Sequence, residues 1–319
     1  MSKAKDDYGP DSRNHSQPDS SPESEPADPD RPDHATRQGL SLAPDSIKAD
    51  LLPDPFVTDD NSPVSVAEAG EIYLKIQRSN WQTDTLTSKY ERHKFEIYPR
   101  ILEADRHFRS KYEGVTTVML TRRLSPLDES DNWLTPWECN EMLHGGKIHR
   151  SIRGTLNYQL EGFQFEWIAV TAPTRSAGTP HEHIYLWIDD PGNDVTTDHI
   201  LPARDKHLKY CANAYEKHHQ YRADGTTGAV RLQHLPDIID HVPDEFYSIR
   251  ENSPTYEETG RVLHNTRGAQ YLASQLAHLP VGDYYDPQLE KPPQALFEGA
   301  ALAWISPRNW FRSSGGVQG

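Results

Sequence analysis

The sequence predicts an α+β fold: a central, mainly antiparallel β-sheet flanked by helices. Three observations predict it. Short β-branched runs, "GVTTVMLTRRL" (114–124), "FQFEWIAVTA" (163–172) and "HEHIYLWID" (181–189), read as strands. The last two are joined by a Gly/Pro/Ser-rich turn, which makes them an antiparallel hairpin. Strands and helical segments then alternate irregularly, unlike the regular alternation of a doubly wound parallel sheet.

The elements follow in order. Residues 1–62 read as a disordered acidic tail, rich in Pro, Ser and Asp and poor in aromatics. Residues 63–111 read as a helical N-terminal extension. Ser65 with Glu68 three residues on has capping-box spacing. Over 85–112, Tyr90, Phe95, Tyr98, Ile101 and Phe108 recur at helical spacing, interrupted by Pro99. In "LTPWECNEMLHGGKIHRSIRGTLNYQL", Thr135 is the N-cap, Pro136 the first helical residue and Glu138 the capping-box partner. Residues 202–220 predict a helix, 228–236 a fourth strand, 264–280 a helix capped by Asn265 or Thr266, and 292–305 a short apolar helix. The chemistry-bearing domain is expected over 112–315.

Composition narrows the function. The 319 residues carry a net charge of −15, and residues 1–60 hold 14 acids against 6 bases, about half of it. Such acidity counts against nucleic-acid binding through overall charge, so any nucleic-acid reading must rest on a site. The objection weakens at high salt, where counterion release adds little affinity. No apolar run is long enough to span a membrane and no secretory leader opens the chain, so no membrane partner is expected. Two separated cysteines, Cys139 and Cys211, suit a reducing cytoplasm.

The chemistry gathers at "GTPHEHIYLWIDD". Residues i and i+2 of a strand share a face, so His181 and His183 can reach one metal ion together. Neutral imidazoles suit Mn, Zn, Fe or Ni, and can hold Mg with help from substrate oxygens. Two histidines at a strand start are equally the mark of a polar, partly exposed edge. Tyr271, in "GAQYLASQLA", lies on a helix beside Leu272 and Leu276, where a tyrosine commonly marks a core edge.

Taken together, "TTVMLTRRL", "GTPHEH" and "GAQYLASQLA" resemble, in order and content, the three motifs of the HUH endonucleases, specifically the rolling-circle replication initiators of haloarchaeal plasmids and viruses. The resemblance covers roughly 112–315. It implies a ferredoxin- or RRM-like sheet and a divalent metal, Mg or Mn, held by His181 and His183. It also implies that Tyr271 attacks single-stranded DNA at a replication origin to give a 5′-phosphotyrosine. The freed 3′-hydroxyl would prime the host replication machinery. An acidic, lysine-poor chain also resembles the cytoplasmic proteins of halophilic cells.

Several residues depart from that pattern. The residue between the histidines is usually hydrophobic; here it is Glu182, which must pair with a base or amide, face solvent or join the metal site. No acid stands in "VTAPTRSAGTP" to serve as third ligand, leaving Glu166, Glu182, and Gln233 or His234 as substitutes. Ser274 and Gln275 stand where relatives carry a lysine. These departures motivate the alternative of a catalytically weakened DNA-binding or copy-control protein on the same fold. Tyr210, Tyr215, Tyr284 and Tyr285 are rival nucleophiles. Arg122 and Arg123 are candidate DNA contacts, as are Arg308 and Arg312 with Trp304, Trp310 and Phe311 unless that end simply docks. His207, Cys211 and His218 would share one helix face, as a zinc site or as plain packing.

Overall fold

The computed structural model describes residues 39–47, 51–79, 96–174, 179–220, 228–235, 265–277, 294–306 and 308–318. Five antiparallel strands form one sheet: β1 (Val115–Arg122), β2 (Phe165–Pro173), β3 (Pro180–Asp189), β4 (Val230–His234) and β5 (Phe311–Ser313). Their order is β4-β1-β3-β2-β5. Among the described residues, seven helices flank it: α1 (Val66–Ser79), α2 (Tyr98–Lys111), α3 (Pro136–Leu143), α4 (Gly146–Gln159), α5 (Leu201–Tyr210), α6 (Arg267–Ala277) and α7 (Gln294–Ile305). The chain thus follows the β-α-β-β-α-β order of ferredoxin-like motifs from β1 to β4, with β5 added at the β2 edge.

β3 is central, and its side chains are buried from Pro180 to Ile188. Alternation sends its residues to two cores. Tyr185 and Trp187 join the core under α1, α2, α6 and α7, which also buries Phe108, Leu272 and Trp304. Ile184, Leu186 and Ile188 join the core under α3, α4 and α5, with Leu143, Ile152 and Leu156. His181 and His183 therefore face the α6 side, and Glu182 faces the α4 side.

Both predicted capping boxes are present. Glu68 accepts from the Ser65 N–H at 2.9 Å, and Ser65 accepts from the Glu68 N–H at 3.3 Å. Thr135 and Glu138 do the same for α3. Thr266, not Asn265, caps α6, accepting from the Ala269 N–H at 3.2 Å.

Several expectations are corrected. The tail boundary at 62 is too late: Leu42, Leu52 and Phe56 are buried in the α6-side core, where their apolar side chains belong. Residues 1–38 lie outside the described residues. The segment 63–111 is no separate extension either, because α1 and α2 supply that same core and residues 34–319 form one compact unit. Pro99 lies in the first turn of α2, where a missing N–H costs little, directly after a π-type turn at 96–97; the part of that predicted helix over 85–95 lies outside the described residues. The helix predicted over 202–220 ends at Tyr210, where Cys211 turns extended (φ −100°, ψ 110°). The span after Thr135 is likewise two helices, α3 and α4, broken at His144 and Gly145.

Candidate functional site

The two histidines converge. On β3 the Nε2 atoms of His181 and His183 lie 2.9 Å apart. Nitrogens each about 2.1 Å from one ion at right angles would stand about 3 Å apart, so the pair fits a shared divalent ion. Burial holds both imidazoles neutral, the form that binds metal. It takes His181 down to about 3, helped by the Arg123 guanidinium. It takes His183 well below its usual value, helped by His181 and then Arg123. Cross-strand Thr121 stands 3.0 Å from His183 Nδ1. A proton donated from Nδ1 to Thr121 would leave the Nε2 lone pair available to a shared ion.

Tyr271 meets this pair. Its hydroxyl is 3.4 Å from His183 Nε2, and the two rings meet edge to face with centroids 5.2 Å apart. The residue is 42 % exposed. Its position is built by two contacts of α6 with β3. Gly268 lies so close to Tyr185 that an added Cβ would stand 2.5 Å from the ring. Asp105, buried on α2, accepts from the Thr266 N–H (2.7 Å), the Thr266 hydroxyl (2.9 Å) and Trp187 Nε1 (2.8 Å). One carboxylate so ties the start of the tyrosine helix to the histidine strand, and it lies at the helix end where negative charge is favoured.

The substitute third ligands do not reach the pair. Glu182 points to the opposite face. Its carboxylate accepts from Arg122 Nε at 2.8 Å and Arg312 Nη2 at 2.6 Å, and it pairs again with Arg122 Nη2. The carboxylate thus takes the first of the three options, pairing with a base. Glu166 and Gln233 share the histidine face but lie four residues along it, level with Trp187 and Thr117, roughly 13 Å away. Glu166 instead accepts from the Gly316 N–H at 3.3 Å. His234 lies on the other face, 2.7 Å from the Thr116 hydroxyl.

The candidate DNA contacts divide. Arg122 is 0 % exposed and spent on Glu182, so it is corrected to a core residue. Arg123, two residues beyond Thr121 on the histidine face, is exposed. The expected helix face of His207, Cys211 and His218 does not form. Instead His207 Nε2–H donates to the Arg123 carbonyl at 2.7 Å, and His219 Nε2 accepts from the Arg123 N–H at 2.9 Å. Two imidazoles thus fix the backbone of Arg123. The C-terminal aromatics dock: Trp304, Trp310 and Phe311 are buried, and Arg308 pairs with Glu141. Tyr210 sits on α5, which packs on the other face; Tyr284 and Tyr285 lie outside the described residues.

The sequence reading missed His144 and His149. With Glu182 they place three donor atoms within 4.8 Å of one another, close enough to hold one metal ion. Those donors are already engaged. Arg312 Nη2 lies 2.8 Å from His144 Nδ1, and Arg122 Nη2 lies 3.2 Å from His149 Nε2. A dication there would compete with two guanidiniums. The only sequence signal for this cluster was the conspicuous acid between two histidines.

No family model matches the chain, and no solved structure matches it. The chain is 26% identical over 224 residues to an "Uncharacterized 36 kDa protein" of Halobacterium salinarum, covering 70% of this chain and 61% of that protein. It is 27% identical over 173 residues to a protein of the same description from Halobacterium sp. strain GN101, covering 53% of this chain and 44% of that one. The chain thus spans about three fifths or less of the length of these relatives. Among the described residues, no helix is long and apolar enough to cross a membrane.

Proposed function

We propose that the protein is a metal-dependent nickase and strand transferase for single-stranded DNA, initiating rolling-circle replication of a plasmid or virus. One observation carries the reading. A half-exposed tyrosine hydroxyl lies 3.4 Å from one of two neutral imidazoles whose Nε2 atoms converge. A nucleophile and a phosphate-activating ion have to share one phosphate, and this juxtaposition allows it.

His181 and His183 would hold the ion, Mg or Mn. When bound, it draws charge from a non-bridging phosphate oxygen and fixes the phosphate. The Tyr271 oxygen attacks phosphorus, losing its proton to solvent. The bond to the 3′-oxygen breaks, and that oxygen takes up a proton. The products are a 5′-phosphotyrosine and a free 3′-hydroxyl, available to the host replication machinery. Arg123 contacts the phosphate backbone beside the site. The Halobacterium relatives agree with an acidic chain working in a salty cytoplasm, where counterion release contributes little to DNA affinity.

A second reading has its own observation: among the described residues no carboxylate joins His181 and His183. It makes the protein a catalytically weakened DNA-binding or copy-control protein. Incubation of origin-strand oligonucleotides with protein and Mn separates the two. The first reading expects a covalent adduct that Tyr271→Phe abolishes and His181→Ala with His183→Ala lowers by at least about a hundredfold. The second expects sequence-specific binding without metal and no adduct at any metal concentration.

A further inference from the structure

On the sheet face away from the histidine pair, α4 and the β2–β5 edge enclose a cavity of about 260 Å³. Its floor is apolar and aromatic, with Ile152, Leu156, and the part-exposed Phe165 and Trp167. Its rim is cationic, with Arg150 and Arg153 one turn apart on α4 and Arg312 on β5. Helix α4, GKIHRSIRGTLNYQ, carries Lys147, Arg150 and Arg153 and no acid, in a chain of net charge −15. Both α4 arginines are exposed, and neither has an ion-pair partner among the described residues.

The buried groups behind the cavity carry excess positive charge. Glu182 offsets only one of Arg122 and Arg312. His144 and His149 are neutral and leave that balance unchanged; burial takes them down to about 3 and about 2. Arg122 Nη1 and Arg312 Nε are buried without an acceptor. A buried cation in excess calls for an anion. Of these groups, Arg312 and His149 line the cavity.

We infer that this cavity binds a nucleotide unit, its base against Trp167 and Phe165 and its phosphate on Arg150, Arg153 and Arg312. Aromatic faces accept any base, and guanidinium forks match phosphate oxygens. The cavity has room for one base and its sugar, so the unit is either a free 5′-mononucleotide or one residue of a single strand. The assignment is independent of the nickase reading, because the two sites lie on opposite faces of the sheet.

The test is titration of the full chain, without divalent metal, with dAMP and separately with a short oligo-dA, read by tryptophan fluorescence and calorimetry. The expected result is saturable binding with quenching that Trp167→Phe removes. Arg150→Ala with Arg153→Ala, both exposed positions, should weaken it by about tenfold or more while leaving the urea midpoint unchanged. His181→Ala with His183→Ala should leave it unchanged, whatever becomes of nicking. Equal affinity for dAMP and oligo-dA assigns a free nucleotide; binding of oligo-dA alone assigns a strand. Absence of binding, indifference to the arginine substitutions, equal affinity for orthophosphate, or binding of decanoate in place of both nucleotides overturns the inference.

Discussion

Glu182 is the residue on which the sequence reading was most exposed, and the fold accounts for it. A carboxylate between two histidines on a central strand must enter the second core, where burial alone would raise its pKa. Arg122 lies directly across the strand pair and Arg312 reaches it from the sheet edge, and together with His144 they hold the carboxyl below its usual value. The Arg122 partnership was open to a register argument from sequence. The Arg312 partnership was not, because β5 lies 130 residues on and is only three residues long. Breaking a buried pair from one side leaves its partners uncompensated. Glu182→Gln should therefore destabilise the protein by roughly 3 kcal/mol or more, seen as a lower urea midpoint. An unchanged midpoint would show the pair to be dispensable. Tyr271→Phe, at an exposed position, should change the unfolding free energy by no more than about 0.5 kcal/mol.

The elements carry the geometry. Helix α6 brings Tyr271 to the histidines because Asp105 ties its first turn to Trp187 and because Gly268 allows close approach to Tyr185. Asp105→Ala removes an acceptor of four hydrogen bonds and should cost about 3 kcal/mol, with a fall in any Tyr271-dependent activity. Gly268→Ala should disturb Tyr185, since the ring atoms it meets are held by a 2.8 Å bond to Thr266. That substitution should change the edge-to-face contact of Tyr271 with His183, measurable as altered ring shifts in NMR. Caps were legible from sequence because they are local: Ser65–Glu68 and Thr135–Glu138 need only four residues each. Helix ends without such signals were not. Nothing in "HLKYCANAY" announces that Cys211 turns extended to let His207 and His219 close on Arg123.

At the scale of the whole molecule, the α+β class and four of the five strands were legible, since β-branched runs and the hairpin turn are short-range signals. The strand order was not, because it depends on which long-range pairs bury most apolar surface. Nor did the charge reveal how much of the N-terminal third joins the core, since a few apolar side chains, Leu42 and Phe56 among them, outweigh an acidic surrounding. The fold also keeps several imidazoles neutral by burial. His207, His144 and His219 are taken down to about 2, 3 and 4. The unfolded chain binds their protons near the ordinary value of 6.5, so stability is full above that pH and is lost as pH falls from about 6.5 toward about 4 for His219, about 3 for His144 and about 2 for His207. Each contributes up to about 1.4 kcal/mol per pH unit in that window. Urea midpoints should therefore drop between about pH 7.5 and pH 5. A flat profile would mean these histidines become charged within the fold.

The central claim is that Tyr271 and the histidine pair act on one phosphate. Peptide mapping by mass spectrometry, after incubation with a single-stranded origin oligonucleotide and Mn, tests it most directly. The account predicts a nucleotide 5′-phosphate on Tyr271 that disappears when His181 and His183 are replaced by alanine. An adduct on another tyrosine, or one indifferent to the two histidines, would contradict it.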